Sequence, residues 1–515
     1  MSLTTPAPAP PVSASSEPGS PYTAPAGTET FDSLDPGSGD LLRTWPAQSA
    51  AEVEAAVARA QVAAAWWRGL GFAGRRRHLR AWKGVLARRM HELADLVHHE
   101  NGKPHGDAIL EITLAIDHIA WAGGHAADVL GEQRVSVGLL AANQAASVSY
   151  QPLGVVGVIG PWNYPVFTPM GSIAYALAAG NAVVFKPSEY TPGVGRWLVD
   201  AWAMAVPEGR DVLQLVTGLG ETGAALCRAG VDKIAFTGSA RTGRRVMAAC
   251  AENLVPVLME CGGKDAMIVD DDADVAAAAD AALWGGMSNA GQTCIGIERV
   301  YATDKVYDAF LAELTTKARA LRPGSDAEAS YGPITMPSQV GLIQRHLDDA
   351  VARGGRALVG GSITGAYVAP TVLVDVPEDS TAVTEETFGP TITVARVKDA
   401  EEALERTNAT SYGLAGSVFS GSRARGMDLA RRMRSGMTSV NSVIAFASVP
   451  ALPFGGVGDS GFGRIHGADG LREFTRPKAI TRQRFALPVN LLSFSRPAGL
   501  TDRVAKLIGL VHGRG

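Results

Sequence analysis

Between Leu153 and Val269 short β-branched runs alternate with stretches of helical periodicity, a pattern that few folds accommodate. Strands are predicted at Val155 to Ile159, Ala182 to Phe185, Val212 to Val216, Lys233 to Phe236 and Pro256 to Met259, with helices such as Met170 to Ala179 and Thr242 to Ala251 between them. Strands joined through helices lie parallel and their crossovers keep one hand, so an open, doubly wound α/β sheet is expected. In such sheets ligands bind beyond the carboxyl ends of the strands. Three chemically unusual turns fall there, Pro161 to Pro165, Lys186 to Glu189 and Gly238 to Gly243, which marks that edge as the expected crevice.

A second α/β unit is expected from about Asp274 to Ser448, with a long helix ending near Ala290 and strands near Arg299 to Ala302, Pro370 to Val374 and Leu414 to Phe419. Ahead of the first sheet, helical spacing recurs from Ala51 to Trp67 and from Leu79 to Val97, and Arg75 to Arg77 are assigned to the solvated side. Residues 1–30, rich in Pro, Ala, Ser and Thr, hold too little apolar surface to order and are expected to form a disordered tail. They lack the apolar core of a secretion signal, and no run reaches the ~18 apolar residues of a membrane span. Near the other end, Leu500, Val504, Leu507, Ile508 and Val511 share one helical face close to Arg503, Lys506 and Arg514. That face either packs against protein, of its own subunit or a partner, or makes weak peripheral contact with an anionic membrane.

Charge and cysteine usage narrow the function. Lys plus Arg number 47 against 51 Asp plus Glu, a formal −4 with no long run of either sign, which argues against nucleic acid as a partner. Cys227, Cys250, Cys261 and Cys294 lack paired spacing, so neither a disulfide framework nor a zinc site is expected, and a reducing cytoplasm fits best. His98 and His99 are adjacent and face different sides of a helix, so no metal site is expected from them.

The most informative segment reads Ser-Asn-Ala-Gly-Gln-Thr-Cys from Ser288 to Cys294. A cysteine in a loop just beyond a helix can attack a carbonyl carbon as its thiolate, with backbone amides stabilising the oxyanion. A lone loop cysteine is ordinarily inert, so its meaning depends on its company. Glu260 ends a strand ahead of Cys261-Gly262-Gly263-Lys264, and a carboxyl in an apolar setting holds its proton more tightly and can serve as a general base; a capping or salt-bridged role is the alternative. Cys261 reads as a small packed residue. Asn163, within Pro161-Trp162-Asn163-Tyr164-Pro165, offers an amide donor at the ligand edge. Lys186 and Glu189, in Lys186-Pro187-Ser188-Glu189, suit the hydroxyls of one sugar or else a surface ion pair. Phe236-Thr237-Gly238-Ser239 through Gly243 forms a strand, a turn and a helix start, which reads either as a phosphate site or as a plain turn.

Taken in order, these elements together with Glu385-Glu386-Thr387-Phe388-Gly389-Pro390 and Pro453-Phe454-Gly455-Gly456 resemble the aldehyde dehydrogenase superfamily from about Phe31 to Ile480. The resemblance implies NAD(P)-dependent oxidation of an aldehyde to its acid. It makes Cys294 the nucleophile, Glu260 the general base, and Asn163 with the Cys294 backbone amide the oxyanion hole. The presence of Glu260 argues against the acyl-CoA-forming relatives. By the same likeness Trp162, Lys186, Ser188, Glu189, Gly238, Ser239, Gly243, Glu386 and Phe388 line the cofactor site. Glu189 favours NAD over NADP, because a carboxylate accepts from a free 2′-hydroxyl and repels a 2′-phosphate; Lys186 keeps NADP open. The family often carries an acid after its Gly-x-Gly-Arg turn, whereas Gly461-Phe462-Gly463-Arg464 is followed here by Ile465 and His466.

The resemblance also places the aldehyde tunnel among Tyr164, Phe167, Ile295, Phe446 and Phe454, all apolar or aromatic, which suits a medium or long-chain, aromatic or terpenoid aldehyde. The Cys-Ile-Gly-Ile-Glu-Arg run from Cys294 also resembles a branch of succinate-semialdehyde dehydrogenases, whose substrate needs a cation; Arg299 is the nearest in sequence. The implied organisation is an NAD(P)-binding domain of residues 31–140 and 153–262, a catalytic domain of 263–448, a β oligomerisation arm of 141–152 and 467–485, and a tail of 486–515. A homodimer or homotetramer is expected.

Overall fold

The computed structural model describes residues 29–513. Its first sheet has six strands in the order Gly461–Phe462, Val257–Cys261, Lys233–Gly238, Val155–Ile159, Ala182–Lys186 and Leu213–Leu215. All pairs are parallel except the edge pair of Gly461 with Glu260 and Phe462 with Met259. In chain order the sheet starts in its middle and grows first one way and then the other, so the order reverses between Val155–Ile159 and Lys233–Gly238. That switch opens a crevice at the carboxyl ends. The strands read as unbroken apolar runs because helices cover both faces: every residue of Ala182–Lys186 is buried, as is every residue of the helix Phe167–Ala179 except Thr168.

One covering helix, Ala50–Gly69, begins in a capping box in which Ser49 Oγ accepts from Glu52 N and Glu52 Oε2 accepts from Ser49 N. Where three helices meet, Trp67 and Trp82 each pack edge-on against Trp202 at 5.4 Å between centroids, and each indole N–H finds a backbone carbonyl. The expected helix from Leu79 to Val97 is two helices, Gly71–Arg88 and Met90–Asn101. Arg75 corrects the reading of its arginine run. It is buried, with Nε donating to the Ala178 carbonyl at 3.1 Å over the ring of Phe72; Arg76 and Arg77 are exposed.

The second sheet runs Arg356–Val359, Thr371–Val374, Thr391–Val397, Ile297–Thr303, Asp265–Val269, Gly416–Phe419 and Ser439–Val440, antiparallel only at its first pair. The helix expected to end near Ala290 stops at Met287, because Asn289 and Ala290 turn left-handed at φ of 51° and 56°. A separate three-stranded antiparallel sheet joins Gln133–Val135, Gln144–Pro152 and Thr475–Gln483. Residues assigned to the arm from 467 onward begin instead with the helix Gly467–Glu473. Sequence patterning missed the antiparallel pair Thr30–Leu34 with Leu41–Pro46, whose first residue lies inside the stretch expected to be a tail. The rest of that expected tail, residues 1–28, lies outside the described residues. Leu500–His512 is helical with no buried residue, and no helix among the described residues is long and apolar enough to cross a membrane.

Candidate functional site

Short polar bonds tie the loop after Val155–Ile159 to the turn before Cys294. Asn163 Nδ2 donates to the Gln292 carbonyl at 2.9 Å, and Asn289 Nδ2 returns the contact to the Asn163 carbonyl at 3.0 Å. Gln292 donates through Nε2 to the Asn289 carbonyl at 2.9 Å and accepts at Oε1 from Thr335 N at 2.8 Å. The amide-rich run before the cysteine therefore works as a set of staples holding an otherwise unfavourable left-handed turn. Gly291 completes it, since a Cβ there would stand 2.0 Å from the Gly389 carbonyl oxygen. One of the two Asn163 amide hydrogens is spent on Gln292, which leaves the other for a ligand.

A buried ion pair, which sequence reading missed, supports Asn163 from behind. Lys103 Nζ lies 2.5 Å from Glu111 Oε2, donates to the Asn163 carbonyl at 2.8 Å and sits 4.0 Å over the Tyr164 ring. Glu111 Oε1 accepts from Val166 N and Phe167 N at the start of the following helix. Both side chains are wholly buried, and the only sequence signal was a Lys and a Glu eight residues apart, indistinguishable from a surface pair.

Cys294 and Glu260 face one narrow cavity of about 80 Å³. Burial pushes the Cys294 thiol up, with help from the nearby carboxyls of Glu386, Asp265 and Glu260 and against the Ile295 backbone N–H. Burial likewise holds the Glu260 carboxyl well above the ordinary carboxylate range, against the pull of Arg464, and neither of its oxygens has a hydrogen-bond partner among the described residues. A buried carboxyl with both oxygens unsatisfied is costly, which makes Glu260 a candidate for chemistry.

Tyr164, Phe167, Ile295 and Phe454 line this cavity as expected, joined by Leu114, Ile444 and Ala447. Phe446 is not in the wall; it packs against Phe454 at 6.3 Å between centroids. Ile465, standing where relatives often carry an acid, also lines it. No Lys or Arg does. Arg299 is buried elsewhere, donating to the carbonyls of Lys264, Arg406 and Thr407.

The residues assigned to a dinucleotide cluster at the carboxyl ends of the first sheet, with one group approaching from the second. Lys186 is buried beside Glu189, with Nζ donating to the Pro187 carbonyl, and Ser188 Oγ donates to Glu189 Oε2 at 3.2 Å. Ser239 caps the helix Ala240–Ala251, accepting from Thr242 N, which leaves the first amides of that helix facing the crevice mouth. Gly238 and Gly243 allow close approach: a Cβ would meet the Phe236 ring at 2.7 Å or Met259 Sδ at 2.6 Å. From the second sheet's side Glu386 crosses over, accepting from Gly263 N at 3.1 Å; crowding by protein and the charge of Glu298 lift its carboxyl to about 8. Trp162 and Phe388 meet edge to face at 5.5 Å. Lys264 and Glu298, also missed, form a buried pair, and Glu298 accepts from Thr387 N and Phe388 N, fixing the backbone that carries Glu386 and Phe388. A buried ammonium beside a carboxylate, an uncovered helix N-terminus and two aromatic edges suit a nucleotide sugar, a pyrophosphate and a flat ring in that order. Among the described residues no group of three or more His, Cys, Asp or Glu side chains is placed to hold a metal ion.

The profile of the aldehyde dehydrogenase family matches residues 22–480. A 4,4′-diapolycopene aldehyde oxidase from Methylomonas sp. is 37% identical over 462 residues, covering 89% of this chain and 87% of that protein. Of solved structures, PnpE from Pseudomonas sp. WBC-3, which has also been solved in complex with nicotinamide adenine dinucleotide, has a TM-score of 0.86 at 34% identity, covering 90% of this chain and 96% of that one. An NADP-dependent enzyme of E. coli has a TM-score of 0.84 at 33% identity, covering 88% of this chain and 95% of that one.

Proposed function

The chain belongs to the aldehyde dehydrogenase family, and on that premise we propose that it oxidises an apolar, slender aldehyde to the carboxylic acid with NAD as acceptor and NADP as the second choice. The observation that carries this reading is the shared cavity: a thiol and an unpartnered carboxyl open into one narrow apolar space without a cation in its wall. In this reading Cys294 Sγ attacks the carbonyl carbon and its proton passes to Glu260. The spare amide hydrogen of Asn163 and the Cys294 backbone N–H hold the oxyanion of the thiohemiacetal. The bound nicotinamide, positively charged when oxidised, supplies the electrophile that accepts the hydride. Glu260 passes that proton to solvent, then takes a proton from water as the hydroxide adds to the Cys294 thioester, and collapse releases the acid while the proton held by Glu260 restores the thiol. Lys186 and Glu189 would hold the adenosine ribose, Ser188 the loop between them, the Gly238–Ser239 turn and Gly243 the pyrophosphate, and Glu386 with Phe388 and Trp162 the nicotinamide end.

An apolar chain gains about 0.8 kcal/mol for each methylene it buries, and Ile465 adds wall where an acid would repel it. The diapolycopene aldehyde oxidase supports the same class. Succinate semialdehyde loses its proposed partner, because Arg299 spends its donors on backbone carbonyls. The exposed strand Thr475–Gln483 and its arm support a homodimer or homotetramer, and four free thiols support a reducing cytoplasm. The test is formation of reduced nicotinamide by purified protein with decanal, benzaldehyde and succinic semialdehyde, each with NAD and NADP. Decanal is expected to give the highest kcat/KM and Cys294→Ser to abolish turnover while keeping NAD binding. A preference for succinic semialdehyde would refute the substrate class, and an active Cys294→Ser would refute the nucleophile.

A further inference from the structure

The residues beyond the oligomerisation strand break the charge balance of the chain. From Arg484 to Gly515 there are five Lys or Arg and one acid, Asp502, a formal +4 in a protein whose total is −4. The same stretch displays apolar side chains that its own fold leaves uncovered. Leu492 is 95% exposed and Phe494 108%, and Phe485, Leu507, Leu510 and Val511 are exposed as well. In the helix Leu500–His512, Leu500, Val504, Leu507, Ile508 and Val511 form one stripe, Arg503 and Lys506 lie along its flank, and no residue is buried.

We propose that this tail docks the enzyme on an anionic lipid bilayer, with the stripe of Leu500–His512 and the Leu492–Phe494 turn entering the headgroup boundary and the flanking cations meeting lipid phosphates. Basic charge beside an exposed apolar stripe is the pattern that lies in a membrane interface. Thirteen helical residues span roughly 20 Å, short of the ~30 Å hydrocarbon core, so the helix lies on the bilayer and does not cross it. An aldehyde of the apolar class dissolves in the same bilayer; that consequence rests on the reading of the substrate above, whereas the docking does not.

The test is co-sedimentation of the full-length protein with vesicles of phosphatidylcholine alone or mixed with phosphatidylglycerol. Binding is expected to the mixed vesicles, falling with salt as the ~8 Å screening length of physiological buffer shortens. Arg503→Gln with Lys506→Gln should weaken it about fivefold for each charge removed, and Leu507→Asp with Val511→Asp should abolish it. Turnover of a water-soluble aldehyde should stay unchanged in both pairs, which reports an intact fold and keeps the docking test apart from the substrate test. No binding to either vesicle, equal binding to both, or binding untouched by both pairs overturns the proposal. So does a fall in assembly mass for Leu507→Asp with Val511→Asp in a protein that ignores vesicles, since the stripe would then cover a second copy of the chain.

Discussion

Lys103→Met removes one partner of a fully buried ion pair and keeps the volume of the side chain. In the intact protein the ammonium touches Glu111 at 2.5 Å, the Asn163 carbonyl at 2.8 Å and the Tyr164 ring, with no exposure on either side. Burial draws the Lys103 proton affinity down and the neighbouring Glu111 carboxylate opposes that, so the ammonium depends on its partner. Breaking such a pair costs about 3–5 kcal/mol, because the stranded carboxyl must stay charged without a counterion or take up a proton. Glu111→Gln in the same chain should return about 2 kcal/mol, since a neutral amide oxygen still accepts from Val166 N and Phe167 N. Activity should fall with stability: the Asn163 carbonyl keeps Asn289 but loses Lys103, one of the two donors that fix it, and a shift approaching 1 Å at a reacting group lowers kcat by up to about 10²-fold. Denaturant unfolding of the two single variants and the double variant, with kcat for each, measures both effects. A Lys103→Met protein within about 1 kcal/mol of wild type and with unchanged kcat refutes the argument that this pair positions the oxyanion amide.

Glu260→Gln keeps the shape of the proposed base's site but not its proton uptake, so the first turnover should produce a burst of reduced nicotinamide, followed by deacylation slowed about 10²- to 10⁴-fold; rapid-mixing absorbance reads both phases, and a wild-type steady state would remove Glu260 from the mechanism. His118 makes stability acid-sensitive. Burial holds its folded-state value at about 4, below the 6.5 of an unfolded chain, so the unfolded state binds more protons between those values and stability falls as pH drops through that window. About 2 kcal/mol should be lost between pH 7.5 and 5, and denaturant midpoints that fall as far in His118→Phe would assign the loss to other groups.

The strands of the first sheet and the chemistry at their carboxyl ends were legible because parallel strands buried on both faces leave apolar runs, and turns such as Pro161–Pro165 interrupt them with polar residues. Harder to read were residues whose partners lie far along the chain. Arg75 belongs to an arginine run that looks solvated, yet its guanidinium reaches the Ala178 carbonyl. Phe446 stands two residues from Ile444 and one from Ala447, and only the local turn decides that those two face the cavity and it does not. Asn289 and Gln292 were visible as amides before a cysteine; that they staple the loop follows from bonds to residues 126 and 43 positions away.

Those staples also bear on movement. Asn163 hangs from the first sheet and Asn289 and Gln292 precede a strand of the second, so the seam between the two sheets is laced at the point where Cys294 emerges. Thr335 and Asn101 lace it again, each bonded to the other's side chain or carbonyl. Glu386 accepts from Gly263 N, in the link between the two sheets. With the two sheets tied twice along this seam, the Cys294 sulfur and the Asn163 amide are held in register as one rigid edge of the cavity.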